Sequence, residues 1–122
     1  MPRWAQYRRA VGRRGEQWAV DHLERSGMRV VDRNWRNRAG ELDIVAREGP
    51  VLVVAEVKTR TSVDHGHPAE AVDVAKRRRL HALARAWARQ HRVRAARIRV
   101  DVIAILAIGG RVFVSHERGV DR

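Results

Sequence analysis

Two segments of the chain repeat apolar residues at the spacing of an amphipathic helix. The first covers residues 14–26, with Gly27 as a suitable C-cap, and the second covers residues 70–91. The two apolar stripes contain Ala19, Val20 and Leu23 in the first segment and Leu80, Leu83, Ala84, Trp87 and Ala88 in the second. Glu16 precedes the first stripe by one turn, and Lys76 precedes the second by one turn. We therefore expect two helices, each with one charged side chain beside its buried face.

Strand patterns occupy most of the remaining chain. The segments with alternating or continuous apolar residues are 28–34, 42–46, 51–58, 98–107 and 111–117. The segment 51–58 is apolar on both faces as far as Glu56, which is typical of a central strand. Between strands, residues 33–40 and 59–69 are predicted to be loops. Trp35, among the arginines of the first loop, can stack on a nucleic-acid base, but a partly buried anchor is the favoured interpretation.

A chain of 122 residues is long enough for one hydrophobic core, so a single domain over residues 1–122 is expected. Residues 1–11 and 118–122 are predicted to be flexible ends. No apolar stretch approaches the roughly 20 residues that span a bilayer, so we expect no membrane association and a cytoplasmic location. The chain has no cysteine, which excludes disulfides and thiolate zinc sites.

The net charge of +12 indicates a polyanionic partner, and nucleic acid is the first to consider. An arginine-rich composition without functional meaning is the alternative explanation. Of the 26 basic residues, Lys58 and Lys76 are the two lysines. Arginine cannot replace the compact, rotatable ammonium group of lysine, so these two positions are candidates for a specific chemical role.

Ionisable residues interrupt the strands in the stretch GELDIVAREGPVLVVAEVKTR, residues 40–60. Glu56 and Lys58 point to the same face because strand side chains alternate, and a hairpin would bring Asp43 beside them. Converging carboxylates repel one another unless a proton or a cation lies between them, and oxygen ligands select Mg²⁺ or Mn²⁺. The alternative is a structural salt bridge at the sheet edge, without metal or reaction.

The spacing of Asp43, Glu56 and Lys58 resembles the D-(x)n-E-x-K signature of the restriction-endonuclease-like nuclease superfamily. The whole chain resembles the YraN family of small bacterial proteins. The matching motifs are GxxGE at residues 12–16, RNWR at 33–36, GELD at 40–43, EVKTR at 56–60, AEAV at 69–72 followed by Lys76, and RVDV at 99–102. They occur in order over roughly residues 12 to 105.

This resemblance implies an α/β restriction-endonuclease-like fold, with a mixed central sheet of about five strands flanked by helices, and similarity to archaeal Holliday junction resolvases. It implies that Asp43 and Glu56 bind Mg²⁺ together with the Val57 carbonyl. It also implies that Glu16 completes the acidic cluster and that Lys58 positions the attacking water. A homodimer is a further implication, because the two strands of a junction need two active sites.

Several other residues receive predicted roles. Lys76 is expected to contact a phosphate, together with the nearby arginines Arg36, Arg38 and Arg60. Asp101 is expected to be a buried partner of a basic residue. His65 and His67 flank a glycine beside Asp64 and have the residue types of a metal site, but an exposed loop is favoured.

The sequence thus predicts a Mg²⁺-dependent endonuclease acting on branched or distorted DNA. The first alternative is a module that binds nucleic acid and retains the nuclease fold without turnover. The second is a protein in which the charge reflects composition and the acidic residues form salt bridges. The sequence contains no recognisable base-reading element.

Overall fold

In a computed structural model, the protein folds as a five-stranded sheet with one helix packed against each face. The structure describes residues 2–62 and 72–120. The elements in chain order are α1 (Arg3–Arg25), β1 (Arg29–Asn37), β2 (Gly40–Glu48), β3 (Val51–Arg60), α2 (Val74–Gln90), β4 (Arg97–Ile108) and β5 (Arg111–Glu117). None of the helices in these described ranges is long and apolar enough to cross a membrane.

The strands lie in the order of the sequence, from β1 at one edge to β5 at the other. Neighbouring strands are antiparallel except β3 and β4, which are parallel and are joined through α2. A parallel pair needs a crossover connection, and a helix is the usual one. The prediction of an α/β protein with a mixed sheet of about five strands flanked by helices is confirmed.

Alternation along β3 divides the buried side chains between two cores. Leu52 and Val54 pack with the buried face of α2, whereas Val53 and Ala55 pack with α1. Because side chains alternate along a strand, Glu56 continues the face that is covered by α2. The ionisable end of β3 is therefore directed toward α2.

The first helix is longer than predicted. It begins at Arg3 rather than near residue 14, so the segment expected to be a flexible N-terminal end is helical. The prediction began too late because the charged first half of the helix has no clear apolar stripe, and the Gly12 within it costs a helix only about 1 kcal/mol. Val11 is buried in the fold and helps to hold this first half in place.

The segment 33–40 was predicted as a loop, and this prediction was wrong for most of it. β1 continues to Asn37, and Trp35 pairs with Leu42 of β2. The Asn37 side chain accepts hydrogen bonds from the N–H groups of Ala39 and Gly40 and so closes the turn. Backbone pairing in the hairpin outweighs the polar composition of this stretch. Trp35 packs against the α2-side core, which confirms the anchor interpretation.

The second predicted helix begins later than expected. Asp73 is the N-cap of α2, and its side chain accepts a hydrogen bond from the N–H of Lys76 at 2.8 Å. The loop predicted over residues 59–69 starts only after Arg60, because β3 extends to that residue. His65 and His67 lie outside the described residues, so their predicted position in an exposed loop stays a prediction.

Candidate active site

Asp43 and Glu56 meet where β2 and β3 separate. The last paired residues of these strands are Ile44 and Ala55, which are the direct chain neighbours of Asp43 and Glu56. Beyond that point the Asp43 carboxylate accepts a hydrogen bond from the Val57 N–H through Oδ2, at 2.9 Å. The end of the ladder thus frees a backbone donor, and this donor holds Asp43 next to Glu56.

Both lysines of the chain bind the Glu56 carboxylate. Lys76 donates to Oε1 through Nζ at 2.8 Å, and the Lys58 Nζ lies 3.3 Å from the same oxygen. The side chains of Glu56, Lys58 and Lys76 are 12%, 19% and 28% exposed. These ion pairs are thus largely shielded from water. Electrostatic interactions in such a shielded site are stronger than at an open surface.

The electrostatics of the site are dominated by the two carboxylates. Burial raises the pKa of Asp43 most, the negative charge of Glu56 raises it further, and the Val57 N–H partly opposes them, giving a pKa of about 6. Burial disfavours the charged form of Lys76, but the hydrogen bond and the charge of Glu56 outweigh it and raise the Lys76 pKa. Perturbed carboxylates in a cleft are typical of functional sites.

A cleft of about 260 Å³ opens over these side chains, between the sheet and α2. Its lining consists of Gly40, Glu41, Asp43, Glu56, Lys76, Arg79, Leu80 and Leu83. The leucines belong to the α2-side core, so the cleft has an apolar floor and a charged rim. Ionised groups over an apolar floor experience a lower dielectric constant than they would in water.

Glu16, the predicted fourth acidic residue, is directed elsewhere. It lies on α1, and its carboxylate accepts hydrogen bonds from Asn34 at 2.7 Å and from Arg33 at 3.2 Å. Its negative charge contributes only a minor part of the raised pKa of Asp43. In residues 2–62 and 72–120, no three His, Asp or Glu side chains form a group that could hold a metal ion. The structure therefore brings together Asp43, Glu56, Lys58 and Lys76, but not Glu16.

The two remaining carboxylates still suit a hard divalent cation. Mg²⁺ commonly takes one or two protein carboxylates and completes its coordination with waters and substrate phosphates. Burial and the negative charge of Glu56 raise the pKa of Asp43, and a cation bound to the two carboxylates would favour its ionised form. The donor set of Asp43 and Glu56 therefore fits Mg²⁺ or Mn²⁺. The role of the Val57 carbonyl stays a prediction, since the Val57 contact described above is made by its N–H.

The arginines predicted to bind phosphate have different environments. Arg36 is 77% exposed and forms an ion pair with Glu41 at 2.8 Å. Arg38 is exposed in the turn between β1 and β2. The Arg60 guanidinium donates to the Thr59 carbonyl of its own strand at 3.2 Å. Arg36 and Arg38 thus lie on the strand and turn that lead into Glu41, at the edge of the cleft.

Sequence reasoning missed two residues that line the cleft, Glu41 and Arg79. Glu41 lies two residues before Asp43, and its negative charge adds to the raised pKa of that residue. Arg79 lies three residues after Lys76, which places it on the same side of α2. Residues two apart on a strand, or three apart on a helix, lie on the same side, so the positions of Asp43 and Lys76 would have indicated both residues.

Asp101 belongs to a separate, structural network. Its side chain is fully buried and accepts hydrogen bonds from Arg99, His116 and the Gly119 N–H. Burial would raise its pKa, but the bonds from His116 and Arg99 lower it to about 2. The prediction of a buried acidic partner for a basic residue is confirmed. Arg99 also donates to Glu48, so the network joins β4 and β5 to β2.

Comparison with known proteins identifies the family. The family model of UPF0102, described as an uncharacterised protein family, matches residues 15–105. The UPF0102 protein of Arthrobacter sp. (strain FB24) is 59% identical over 111 residues, covering 90% of this chain and 94% of that relative. Those of Paenarthrobacter aurescens (strain TC1) and Rhodococcus opacus (strain B4) are 56% and 47% identical, covering 90% and 80% of this chain and 92% and 82% of their own lengths. The chain therefore belongs to the UPF0102 family, as its YraN-type motifs predicted.

Proposed function

We propose that this protein is a metal-dependent endonuclease whose active site is the cleft between the sheet and α2. The observation that carries the proposal is the convergence of Asp43, Glu56 and Lys58, the three residues of the nuclease-like signature, at one end of two adjacent strands. A salt bridge alone explains this arrangement poorly, because Asp43 is left with a raised pKa beside Glu56.

Asp43 and Glu56 would hold Mg²⁺ or Mn²⁺ in this site. When bound, such an ion supplies a positive charge that stabilises phosphoryl oxygens and makes a nearby water more acidic. Lys58 lies against Glu56 and is 19% exposed, so its ammonium group can orient a water molecule at the mouth of the cleft. The lysine side chain suits this task because its three donors rotate freely around a compact centre.

Nucleic acid is the proposed substrate because the chain carries a net charge of +12. Phosphate contacts from arginine and lysine position a duplex without reading its sequence. Arg36, Arg38 and Arg79 lie at or near the cleft, and they are the side chains that we propose for this purpose. A substrate recognised mainly by shape, such as branched or distorted DNA, is consistent with this type of contact.

The restriction-endonuclease-like superfamily is the proposed origin of the fold. Two of its signature residues, Asp43 and Glu56, line the cleft, and the third, Lys58, contacts Glu56. One such site cuts one strand, so cleavage of both strands of a junction would require a homodimer. The main alternative is a module that binds nucleic acid and has lost turnover, which shares every feature except catalysis.

Cleavage assays on labelled branched, flapped and linear DNA, with Mn²⁺ or with EDTA, test the proposal directly. We expect metal-dependent cleavage that Asp43→Asn and Lys58→Ala abolish. Asp21→Asn, which makes the same change of charge on α1, is the matched control and should cleave normally. Binding that weakens with salt, in the absence of any cleavage, would favour the non-catalytic module. Cleavage that persists in Asp43→Asn would refute the catalytic assignment.

A further inference from the structure

The closest cation to the Glu56 carboxylate comes from α2. The Lys76 Nζ lies 2.8 Å from Oε1, whereas the Lys58 Nζ of the signature lies 3.3 Å from the same oxygen. Lys76 therefore occupies a carboxylate oxygen that the proposed function assigns to a metal ion. Two ammonium groups and a divalent cation cannot all crowd one oxygen without strong mutual repulsion.

Lys76 is held in this position by local structure. The Asp73 side chain accepts a hydrogen bond from the Lys76 N–H and fixes the first turn of α2, from which the side chain extends into the cleft. Glu56 is only 12% exposed and Lys76 only 28%, so the pair is not a freely solvated surface ion pair. The contact is thus a defined feature of the site.

The charges around the site indicate what happens when a metal ion enters. With both carboxylates ionised, Asp43 and Glu56 carry two negative charges, which the ammonium groups of Lys58 and Lys76 balance. A divalent cation on the carboxylates would give the site a net positive charge. Repulsion would then act most strongly on Lys76, which is the closer ammonium group to Glu56 Oε1, lines the cleft and is more exposed than Lys58, so Lys76 would be displaced and the site would attract an anion.

We infer that Lys76 is a tethered cation that neutralises Glu56 in the metal-free protein and is transferred to a substrate phosphate when metal binds. This inference rests on the proposed function. Lys76 and Arg79 line the same cleft, so the released ammonium group has a second cation beside it with which to bind a phosphate. Metal and nucleic acid therefore bind with positive cooperativity, and Lys76 is the side chain that couples them.

Binding of Mn²⁺ in the absence of nucleic acid tests the first half of the inference. The loss of the free-ion signal in electron paramagnetic resonance gives the affinity of the wild type, Lys76→Met and Lys76→Gln. We expect the two variants to bind Mn²⁺ about tenfold more tightly, because the competing ammonium group is gone. Lys76→Gln keeps a hydrogen-bond donor near Glu56, and circular dichroism confirms that each variant is folded.

Arg79→Met is the matched control for this measurement. It removes one cation from the same cleft and the same helix, but in the described part of the chain the bonds to Glu56 come from Lys58 and Lys76. If Arg79→Met also binds Mn²⁺ about tenfold more tightly, the effect would come from the loss of any positive charge in the cleft, and the inference would be overturned. Equal or weaker Mn²⁺ binding by the Lys76 variants would also overturn it. A wild type that binds no Mn²⁺ would instead contradict the proposed function.

Nucleic-acid binding tests the second half. Fluorescence anisotropy with labelled branched DNA is measured with and without Mn²⁺ in a Lys58→Ala background, which prevents cleavage during the experiment. We expect Mn²⁺ to increase the affinity for DNA about tenfold in Lys58→Ala and far less in the Lys58→Ala, Lys76→Met double variant. The same enhancement in both proteins would show that Lys76 does not couple the two ligands and would overturn the inference.

Discussion

Asp43 and Glu56 lie so close together that the negative charge of Glu56 adds to the effect of burial and raises the pKa of Asp43 to about 6. The hydrogen bond from the Val57 N–H reduces this effect without cancelling it. Ionising Asp43 therefore costs more free energy in the folded chain than in the unfolded chain, although the carboxyl group is still mostly ionised at pH 7. Functional sites commonly hold a charged group in a cleft at a cost to the stability of the folded chain.

Replacement of Asp43 by Asn should stabilise the metal-free protein. The folded pKa of about 6 is above the ordinary aspartate pKa of 3.8, so the folded state binds more protons than the unfolded state in this window. Stability therefore falls as the pH rises from about 4 to 6, and the penalty is fully present at pH 7. We expect Asp43→Asn to increase the free energy of unfolding at pH 7 by about 1 to 3 kcal/mol.

Urea denaturation in EDTA measures this change, since EDTA removes bound metal. The gain should shrink as the pH is lowered through 6 toward 4 and vanish near pH 3, where the wild-type carboxyl group is protonated in both states. Asn can still accept the hydrogen bond from Val57, so the backbone contact is preserved. A variant that is less stable than the wild type at pH 7 would show that Asp43 has a structural role instead.

Asp101 should respond in the opposite direction. Its folded pKa of about 2 is below the ordinary aspartate pKa of 3.8, so it contributes stability above pH 4 that is lost as the pH falls through this window. Asp101→Asn leaves Arg99 and His116 without their buried anionic partner. We expect the free energy of unfolding at pH 7 to decrease by about 3 kcal/mol or more.

The same denaturation series provides the comparison for Asp101. Opposite signs for Asp43→Asn and Asp101→Asn would separate the carboxylate of the candidate site from the one that supports the sheet. A loss of less than 1 kcal/mol in Asp101→Asn would mean that Arg99 finds a sufficient partner in Glu48, to which it also donates.

The sequence predicted the residues of the candidate site better than their contacts. Asp43, Glu56 and Lys58 could be placed together because strand alternation and a hairpin are local rules. Lys76 could be singled out as an unusual lysine, but its bond to Glu56 depends on the crossover that lays α2 over β3, which is not a local property. Glu16 was placed on the inward side of α1, yet a sequence pattern does not distinguish a contact with Arg33 from one with Asp43.

The fold was likewise predicted well where a local pattern determines the structure, and poorly where contacts between distant segments determine it. The closing strand at residues 111–117 was predicted to the residue, because glycines mark its turn and its pattern alternates. The first half of α1 was missed, since its charged composition has no apolar stripe strong enough to indicate a helix. The strand through Trp35 was missed because its stability comes from pairing with β2 rather than from its own residues.

Lys58→Arg should abolish most of the proposed cleavage while the fold is retained. The ammonium group lies 3.3 Å from Glu56 Oε1 in a side chain that is only 19% exposed, so the larger planar guanidinium cannot take the same position. We expect the cleavage rate to fall about 100-fold or more, as when a group that positions the reactants is misplaced by about 1 Å. Single-turnover cleavage of labelled branched DNA in Mn²⁺ measures the effect, with Arg60→Lys as the control. Full activity in Lys58→Arg would remove the argument that lysine chemistry is required here.

Gly15 lies directly against Thr59, where α1 packs closely on β3. A Cβ atom built at this residue would overlap the hydroxyl oxygen of Thr59 and would lie 3.0 Å from its Cγ2. Because packed interiors have little free volume, Gly15→Ala would push the helix away from the strand. We expect a loss of about 1 to 3 kcal/mol in the free energy of unfolding, measured by urea denaturation.

Gly12, in the same helix, is the matched control because a Cβ atom there would have no neighbour within 4 Å. Gly12→Ala should stabilise the protein by about 0.5 to 1 kcal/mol, since alanine loses less conformational entropy than glycine in a helix. The double variant Gly15→Ala, Thr59→Ala removes the overlapping atoms of Thr59 and should recover most of the loss. Non-additivity of at least about 0.5 kcal/mol in this cycle would show that the two residues are in contact. Simple additivity would mean that the cost of Gly15→Ala has another origin and that α1 is not seated on β3 through this glycine.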